Sequence, residues 1–556
     1  MNDTKNMISL SYRLAFTCVV LVLLQTATNA QDSSEVTSRF LNEANNQRVR
    51  EFMDEELECD QYVFPPGDFP KLRWKNEILV ENELGKFPLK VKYFDSNFLE
   101  VTTANEPGRY GVVIEGITPT GFTIKRYVTL FCANIEFDDY SNNVPIKMNQ
   151  LSEYGIDNEK WEKYSKNEEH FSFGSLKFFP RNNADAAIFL AGLNDMEELE
   201  NNLDTPRIRD RQWWITMKRK LEGMPISQNP LLIPQIINDD SSIPLSDTTI
   251  FSFQYDKEQI EKLRTTCRTW AEKGGVAHVT MIVHKGKIIF HEAFGVDETG
   301  KPLTIDAKMW MASITKLLTG VLMMQFVNQG IIDLDAPVNR YLPELNVSGS
   351  DKLTVRHLFT HSSGLHFAGE WASDWNYALE NQIAHVLPWV EVGKSFSYHR
   401  VGYALACKIM ERITGRAVPY LFHDYIFSPL GMKNAYSDNT YGGLYCTASD
   451  LAHLGQLLLN KGSYNEYRFF SEQTFNEMLP KKLTMSDRSW GIGTSPRNKY
   501  GLSNLAFGHS AASGTVFCID PQNDLIIISA RNKSGKMHDE FEKVFIESCT
   551  ALVKNH

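Results

Sequence analysis

The chain reads as a mixed α/β (α+β) protein in two parts: a β-rich α+β amino-terminal domain over about 45–224, and a sheet with an inserted helical lobe over 251–556. Three observations predict this. Strand patterns stand at both ends of the carboxy-terminal part with helical patterns between them, which implies a sheet closed by the ends of that part and a lobe inserted in its middle. Runs of β-branched and aromatic residues, broken by turn residues, fill 59–145. A stretch over 225–250 with Pro225, Pro230, Pro234, Asp239-Asp240-Ser241-Ser242 and Pro244 joins the two as a linker by composition. At 556 residues the chain has room for more than one domain.

In order, the first thirty residues have the layout of a secretory signal peptide. Lys5 and Arg13 precede an apolar run over 14–24, which ends at Ala27-Thr28-Asn29-Ala30, so that cleavage leaves Gln31 first. The run is short for ~30 Å of hydrocarbon, and the segment is poor in the arginines of a transit peptide. Residues 31–55 are polar, a helix or a loose arm. The runs 89–94, 110–115 and 127–132, with Pro107-Gly108 and Pro119-Thr120-Gly121 between them, predict antiparallel hairpins. Residues 150–222 read as helical, ending in an amphipathic stretch over 210–221. The carboxy-terminal part then predicts a helix over 257–273, strands over 278–284 and 287–294, and a helix over 313–330. Helices over 401–414 and 448–459, strands over 514–519 and 525–530, and a last helix over 538–553 complete it.

Composition narrows the partners. A net charge of −11 without any dense Lys/Arg run argues against nucleic acid and anionic membrane surfaces. No segment after the leader offers 18 consecutive apolar residues, so no membrane span is expected after its cleavage. Outside the leader, Cys59 and Cys132 are the two cysteines of the amino-terminal part, and a bond between them is the simplest pairing; buried free thiols are the alternative. Asn346-Val347-Ser348 and Asn532-Lys533-Ser534 are glycosylation sequons in a secreted chain.

The chemistry is carried by Trp310-Met311-Ala312-Ser313-Ile314-Thr315-Lys316. A lysine three residues after a serine at a helix start lies one turn away on the same face, so its amine can reach the hydroxyl. Once desolvation or a second cation lowers its pKa, it can take the serine proton. Further blocks follow: His361-Ser362-Ser363-Gly364, Tyr398-His399-Arg400, Ser428-Pro429-Leu430-Gly431, Gly442-Gly443-Leu444-Tyr445 and His509-Ser510-Ala511-Ala512.

In this order and spacing the blocks closely resemble the β-lactamase-related serine hydrolases: class C β-lactamases, DD-peptidases, family VIII esterases, D-aminopeptidases and the animal LACTB-like proteins. The resemblance covers roughly 255–552. It implies a β-lactamase/transpeptidase-like fold, an antiparallel sheet flanked by helices, with the active site between sheet and lobe. It implies Ser313 as nucleophile, Lys316 as its partner and Tyr398 as the tyrosine that shuttles the proton to the leaving group. A phenol needs nearby cations to work as a base at neutral pH, and Lys316, Arg400 and His509 are the candidates. The amides of Ser313 and Ala512 would form an oxyanion hole. His509 would hold a substrate carboxylate or carbonyl, with Ser510 beside it. The helices carrying Cys267 and Cys549 pack side by side in the resembled fold, which implies a second disulfide.

Two residues depart from the family pattern. Arg400 stands where asparagine is usual, and a guanidinium cannot accept a hydrogen bond. Ala511 stands where glycine is usual, adding a methyl where substrate and backbone meet. The resulting expectation is a secreted serine hydrolase acting on small esters, amides or unusual peptides. A scaffold or binding protein that keeps the fold is the rival. No cofactor is expected. His357 and His361 are four apart, but the glutamate of a zinc helix is missing, so no metal is assigned. Gly393-Lys394-Ser395 lacks the first glycine of a phosphate loop, Pro388 standing there.

Overall fold

Strand β1 (Leu57–Cys59) pairs with β3 (Leu72–Trp74) in a small ribbon of its own, while β2 (Val63–Phe64) joins a larger sheet. That sheet continues with β4 (Leu89–Asp95), β5 (Glu100–Val101), β6 (Gly108–Ile117) and β7 (Thr123–Cys132), in the order β2-β7-β6-β4-β5. The three hairpin strands expected from the sequence are present and antiparallel. The computed structural model describes residues 57–74, 87–133 apart from 120 and 122, 159, 183–196, 204–227, 229–238, 242–246, 255–365 and 371–554. The signal-peptide and arm readings lie outside them.

Two helices cover this sheet: α1 (Asn183–Asn194) and α2 (Pro206–Leu221). Helix α2 starts where Thr205 accepts from the Ile208 amide and Pro206 supplies a preset first turn, and it ends in Lys218, Arg219 and Lys220. Its Trp213, Trp214 and Met217 pack on Phe94 and Val113. Gly111 makes that approach possible, since a Cβ there would lie 2.4 Å from the Trp213 ring.

The carboxy-terminal part opens with α3 (Lys257–Gly274), capped by Asp256 and closed by Gly275 in the left-handed region. Strands β8 (His278–His284) and β9 (Lys287–Phe294) follow, then β10 (Met309–Ala312) and α4 (Thr315–Asn328). The lobe includes α5 (Val355–Phe359), α6 (Leu379–Val386) and α7 (Val401–Thr414). Strands β11 (Tyr436–Ser437) and β12 (Leu444–Cys446) build a three-stranded sheet with β10. Helix α8 (Ala448–Leu459) leads to β13 (Ser495–Pro496), β14 (Phe507–Ser510), β15 (Val516–Asp520), β16 (Leu525–Ala530) and α10, preceded by the short α9 (Glu472–Met478); α10 spans His538–Val553.

The main sheet runs β9-β8-β16-β15-β14-β13, antiparallel throughout, so its last strands close beside its first as expected. The two-residue alternation of a strand sorts its apolar residues. Ile282, Cys518 and Ile527 meet Trp270 of α3 and Phe545 of α10, while Met281, Phe517 and Ile526 join the larger core shared with α8.

That larger core is contiguous with Phe64, Tyr110, Val112 and Leu130 of the amino-terminal sheet. Polar contacts join the parts as well: the Lys125 amide donates to Asn381 Oδ1 at 2.8 Å, and Lys218 donates to Glu380 at 2.8 Å. The proline-rich stretch between them is laid along the carboxy-terminal part, with Ile237–Asn238 pairing Tyr467–Arg468 as strand neighbours.

The described cysteines are all free thiols, which corrects both expected disulfides. Cys59 sits in the β1–β3 ribbon with its thiol on the Gln61 carbonyl at 3.2 Å, whereas Cys132 ends β7 of the other sheet opposite Gly108. Helices α3 and α10 do pack together, but Cys267 faces Thr280 Oγ1 at 3.5 Å, and burial pushes its thiol up to about 12. Asn346 and Asn532 are both exposed, and Asn532 Oδ1 accepts from the Trp310 amide at 2.7 Å.

Candidate active site

Strand β10 ends at Ala312, whose φ of 45° turns the chain sharply into α4. Thr315 fixes this turn: its hydroxyl donates to the Ala312 carbonyl at 2.6 Å and accepts from the Leu444 amide at 2.9 Å. Ser313 is thereby half-buried at the mouth of α4 with Lys316 one turn further on. Lys316 Nζ lies 3.4 Å from Ser313 Oγ and donates to the Tyr441 carbonyl at 2.7 Å. Only 4% of the lysine is exposed, and this burial lowers its pKa to about 7. With one N–H committed to Tyr441, the neutral amine can turn its lone pair to Ser313.

Tyr398 stands by the same pair, its phenol lowered a little by the Ser313 side chain against the larger effect of burial. Its ring centroid is 4.9 Å from Lys316 Nζ. Although 45% of the residue is open to the cleft, burial of the hydroxyl pushes the phenol up to about 12. The phenol therefore keeps its proton at neutral pH, and no cation offsets the effect of burial on it. Nor does Arg400 tune the lysine, whose shift comes from burial. Its guanidinium lies over the Tyr441 ring at 5.7 Å, at the start of α7.

His509 is buried on β14, and burial lowers it to about 3. Nδ1 is 2.6 Å from the Ser510 carbonyl, so the neutral ring donates there and leaves Nε2 as a bare acceptor. Nε2 is buried and has no hydrogen-bond partner among the described residues. Ser510 is exposed at the end of β14, and Ala511 and Ala512 begin a turn in which the Gly514 amide donates to the Ala511 carbonyl at 2.9 Å. Ser534 donates to the Ala512 carbonyl at 3.3 Å while nearby Asn532 holds Trp310, so one segment ties this turn to β10.

Sequence reasoning passed over two groups. His361, assigned to a structural block, has φ of 56°, and both its carbonyl and its ring hold the Tyr398 turn. The Ser397 amide donates to the His361 carbonyl at 2.8 Å, and the His399 amide to Nδ1 at 3.2 Å. Its ring lies 4.4 Å from that of Tyr398, with burial keeping it neutral. Trp490 closes the box, 5.2 Å from His361 and 5.7 Å from His509. His357 is engaged elsewhere, its Nδ1 accepting from the Thr354 amide at 3.2 Å in the cap of α5.

A model of the Beta-lactamase family matches residues 264–547, just over half the chain. The chain belongs to the Beta-lactamase family. Its fold is β-lactamase/transpeptidase-like, with helices and antiparallel sheets. The chain is similar to an N-acetylmuramyl-L-alanine amidase of Bacillus subtilis (strain 168), 24% identical over 387 residues, covering 54% of this chain and 85% of that protein. It is similar to esterase EstB of Burkholderia gladioli, 37% identical over 106 residues, 18% of this chain and 26% of the esterase. Among solved structures, a penicillin-binding protein homologue from Caulobacter crescentus aligns with a TM-score of 0.47 at 20% identity, covering 53% of this chain and 97% of that one. Family members of this kind are serine hydrolases. The match begins inside α3, so β1 to α2 lie outside it.

Proposed function

We propose that the chain is a secreted serine hydrolase that forms an acyl-enzyme on Ser313 with small esters, amides or unusual peptides. The observation that carries this reading is the Lys316 amine, 3.4 Å from the Ser313 hydroxyl with its pKa lowered to about 7. The neutral amine takes the serine proton as Oγ attacks the carbonyl carbon. The amides of Ser313 and Ala512 receive the oxyanion, each worth ~3 kcal/mol. Tyr398 gives its proton to the leaving oxygen or nitrogen and regains one from the lysine ammonium. Water then reverses these steps and frees the serine. Similarity to an amidase and an esterase supports ester and amide substrates, and the leader-like first thirty residues support export.

Intact-mass spectrometry after treatment with a fluorophosphonate tests the reading. One adduct is expected on the native protein and none on folded Ser313→Ala. Equal labelling of both proteins removes the nucleophile assignment. A folded native chain without adduct favours the scaffold reading.

Arg400 adds a preference. Its guanidinium beside Tyr441 suits substrates that carry a carboxylate, through a paired hydrogen bond. Acidic esters should be cleaved faster than matched neutral ones, and Arg400→Asn should narrow the ratio. A ratio unaltered by that substitution excludes the preference.

A further inference from the structure

Helix α2 lies outside the stretch that the family match covers, yet one of its side chains reaches the loop that holds Lys316. Arg211 is 1% exposed, and its guanidinium lies over the Trp375 ring, 4.7 Å from the centroid. Its Nε pairs with Glu411 Oε1 at 2.6 Å, and Nη1 donates to the Asp438 carbonyl at 3.3 Å. Nη2 donates to Cys407 Sγ at 2.7 Å and stands 3.9 Å from Asp374 Oδ2. That carboxylate oxygen accepts from both the Thr440 amide (2.9 Å) and its hydroxyl (3.0 Å). Asn439 Oδ1 then accepts from the Tyr441 and Gly442 amides at 3.1 and 2.8 Å. The next carbonyl, Tyr441, receives the Lys316 amine. Residues 438 to 441 are therefore all fastened, Thr319 also donating to the Thr440 carbonyl at 2.7 Å, and two of these fastenings trace back to Arg211 of the amino-terminal part.

We infer that Arg211 is a positioning residue for Lys316: by clamping Asp438 directly and Thr440 through Asp374, it holds the Tyr441 carbonyl where it keeps the amine buried beside Ser313. This rests on the acyl-enzyme reading of Ser313. The amino-terminal part is then a collar of the active site. A loop released from the clamp lets the amine swing towards solvent, where a lysine recovers its ordinary basicity. The other titratable or charged groups facing Lys316 are His361, His509, Tyr398 and Tyr403, with Arg400 beyond Tyr441. Both histidines are neutral, so none of these groups replaces the effect of burial.

The test is the rate at which a fluorophosphonate phosphonylates Ser313, with loss of fluoride, against pH, with thermal stability, in the full chain. Arg211→Lys loses the forked contact, and Asp374→Asn keeps the shape while weakening the hold on Thr440. Gln212→Ala and Tyr420→Phe serve as controls, since they break other contacts between the parts, to Gly415 and Asp204. Arg211→Lys and Asp374→Asn should move the midpoint of the rate alkaline by about one unit, a loss of about five-fold at pH 7. The controls should lower stability without moving it. Should Arg211→Lys fail to fold, Asp374→Asn carries the comparison. An unmoved midpoint in the folded clamp variants overturns the positioning role and leaves the acyl-enzyme reading intact, whereas a native chain that takes no label removes both.

Discussion

Replacing Lys316 by alanine should slow acylation of Ser313 by about 10²–10⁴-fold, the usual cost of removing a positioned base. The sign of the native pH dependence follows from the same group. Only the neutral amine accepts the serine proton, so the rate should be low in acid, rise as pH passes about 7, and level off above it. Tyr398, lifted to about 12, stays protonated across that range and adds no second limb below pH 10. Lys316→Arg should not rescue the rate, because a guanidinium keeps its proton. Stopped-flow labelling from pH 5 to 9 checks the native protein and both variants. A Lys316→Ala rate within a few-fold of native would sink the assignment of the base.

The second large effect concerns folding. Arg109 of β6, 1% exposed, pairs with Asp195 at 2.5 Å and with Asp210 of α2 at 2.7 Å. Asp210 also receives the hydroxyls of Thr129 and Tyr377, so sheet, helix and lobe meet at one carboxylate. Arg109→Met should cost about 3–5 kcal/mol of unfolding free energy, because it strands buried charge without its partner. Adding Asp210→Asn should recover part of the loss, since one of the two stranded carboxylates, the fully buried one, then disappears. Denaturant titration of the native, single and double variants measures it. A double variant as unstable as the sum of both singles would mean that packing, and not charge, sets the cost.

Much of this was legible in the residues. The strands over 278–284, 287–294 and 525–530 lie where expected, because each is rich in β-branched and aromatic residues and turn residues such as Lys285-Gly286 punctuate them. The strand expected over 514–519 slips to Val516–Asp520, since Gly514, with φ of 75°, belongs to the turn before it. Ser313, Lys316 and Tyr398 were readable because the chemistry proposed for them lies in their side chains. Tyr441 was not: it contributes a carbonyl, which every residue has. Arg211 was hidden for another reason, its contacts lying some two hundred positions away on elements whose docking no local pattern reveals. The roles proposed for Lys316 and Tyr398 rest on their depth of burial, and depth is a property of the assembled core.

The pairing of β16 with β8 sets an order of events during synthesis. Ile526 lies opposite Val283, more than two hundred residues earlier in the chain. The nucleophile turn, the lobe and the collar leave the ribosome well before the strand that closes the sheet behind them. Until β16 and α10 follow, β8 presents an open apolar edge, the kind of surface that invites chaperones or wrong partners. Contacts so distant in sequence also form slowly. A nascent chain stalled before residue 525 should therefore be bound by chaperones and chemically inert, although it already carries Ser313, Lys316, Tyr398 and His509.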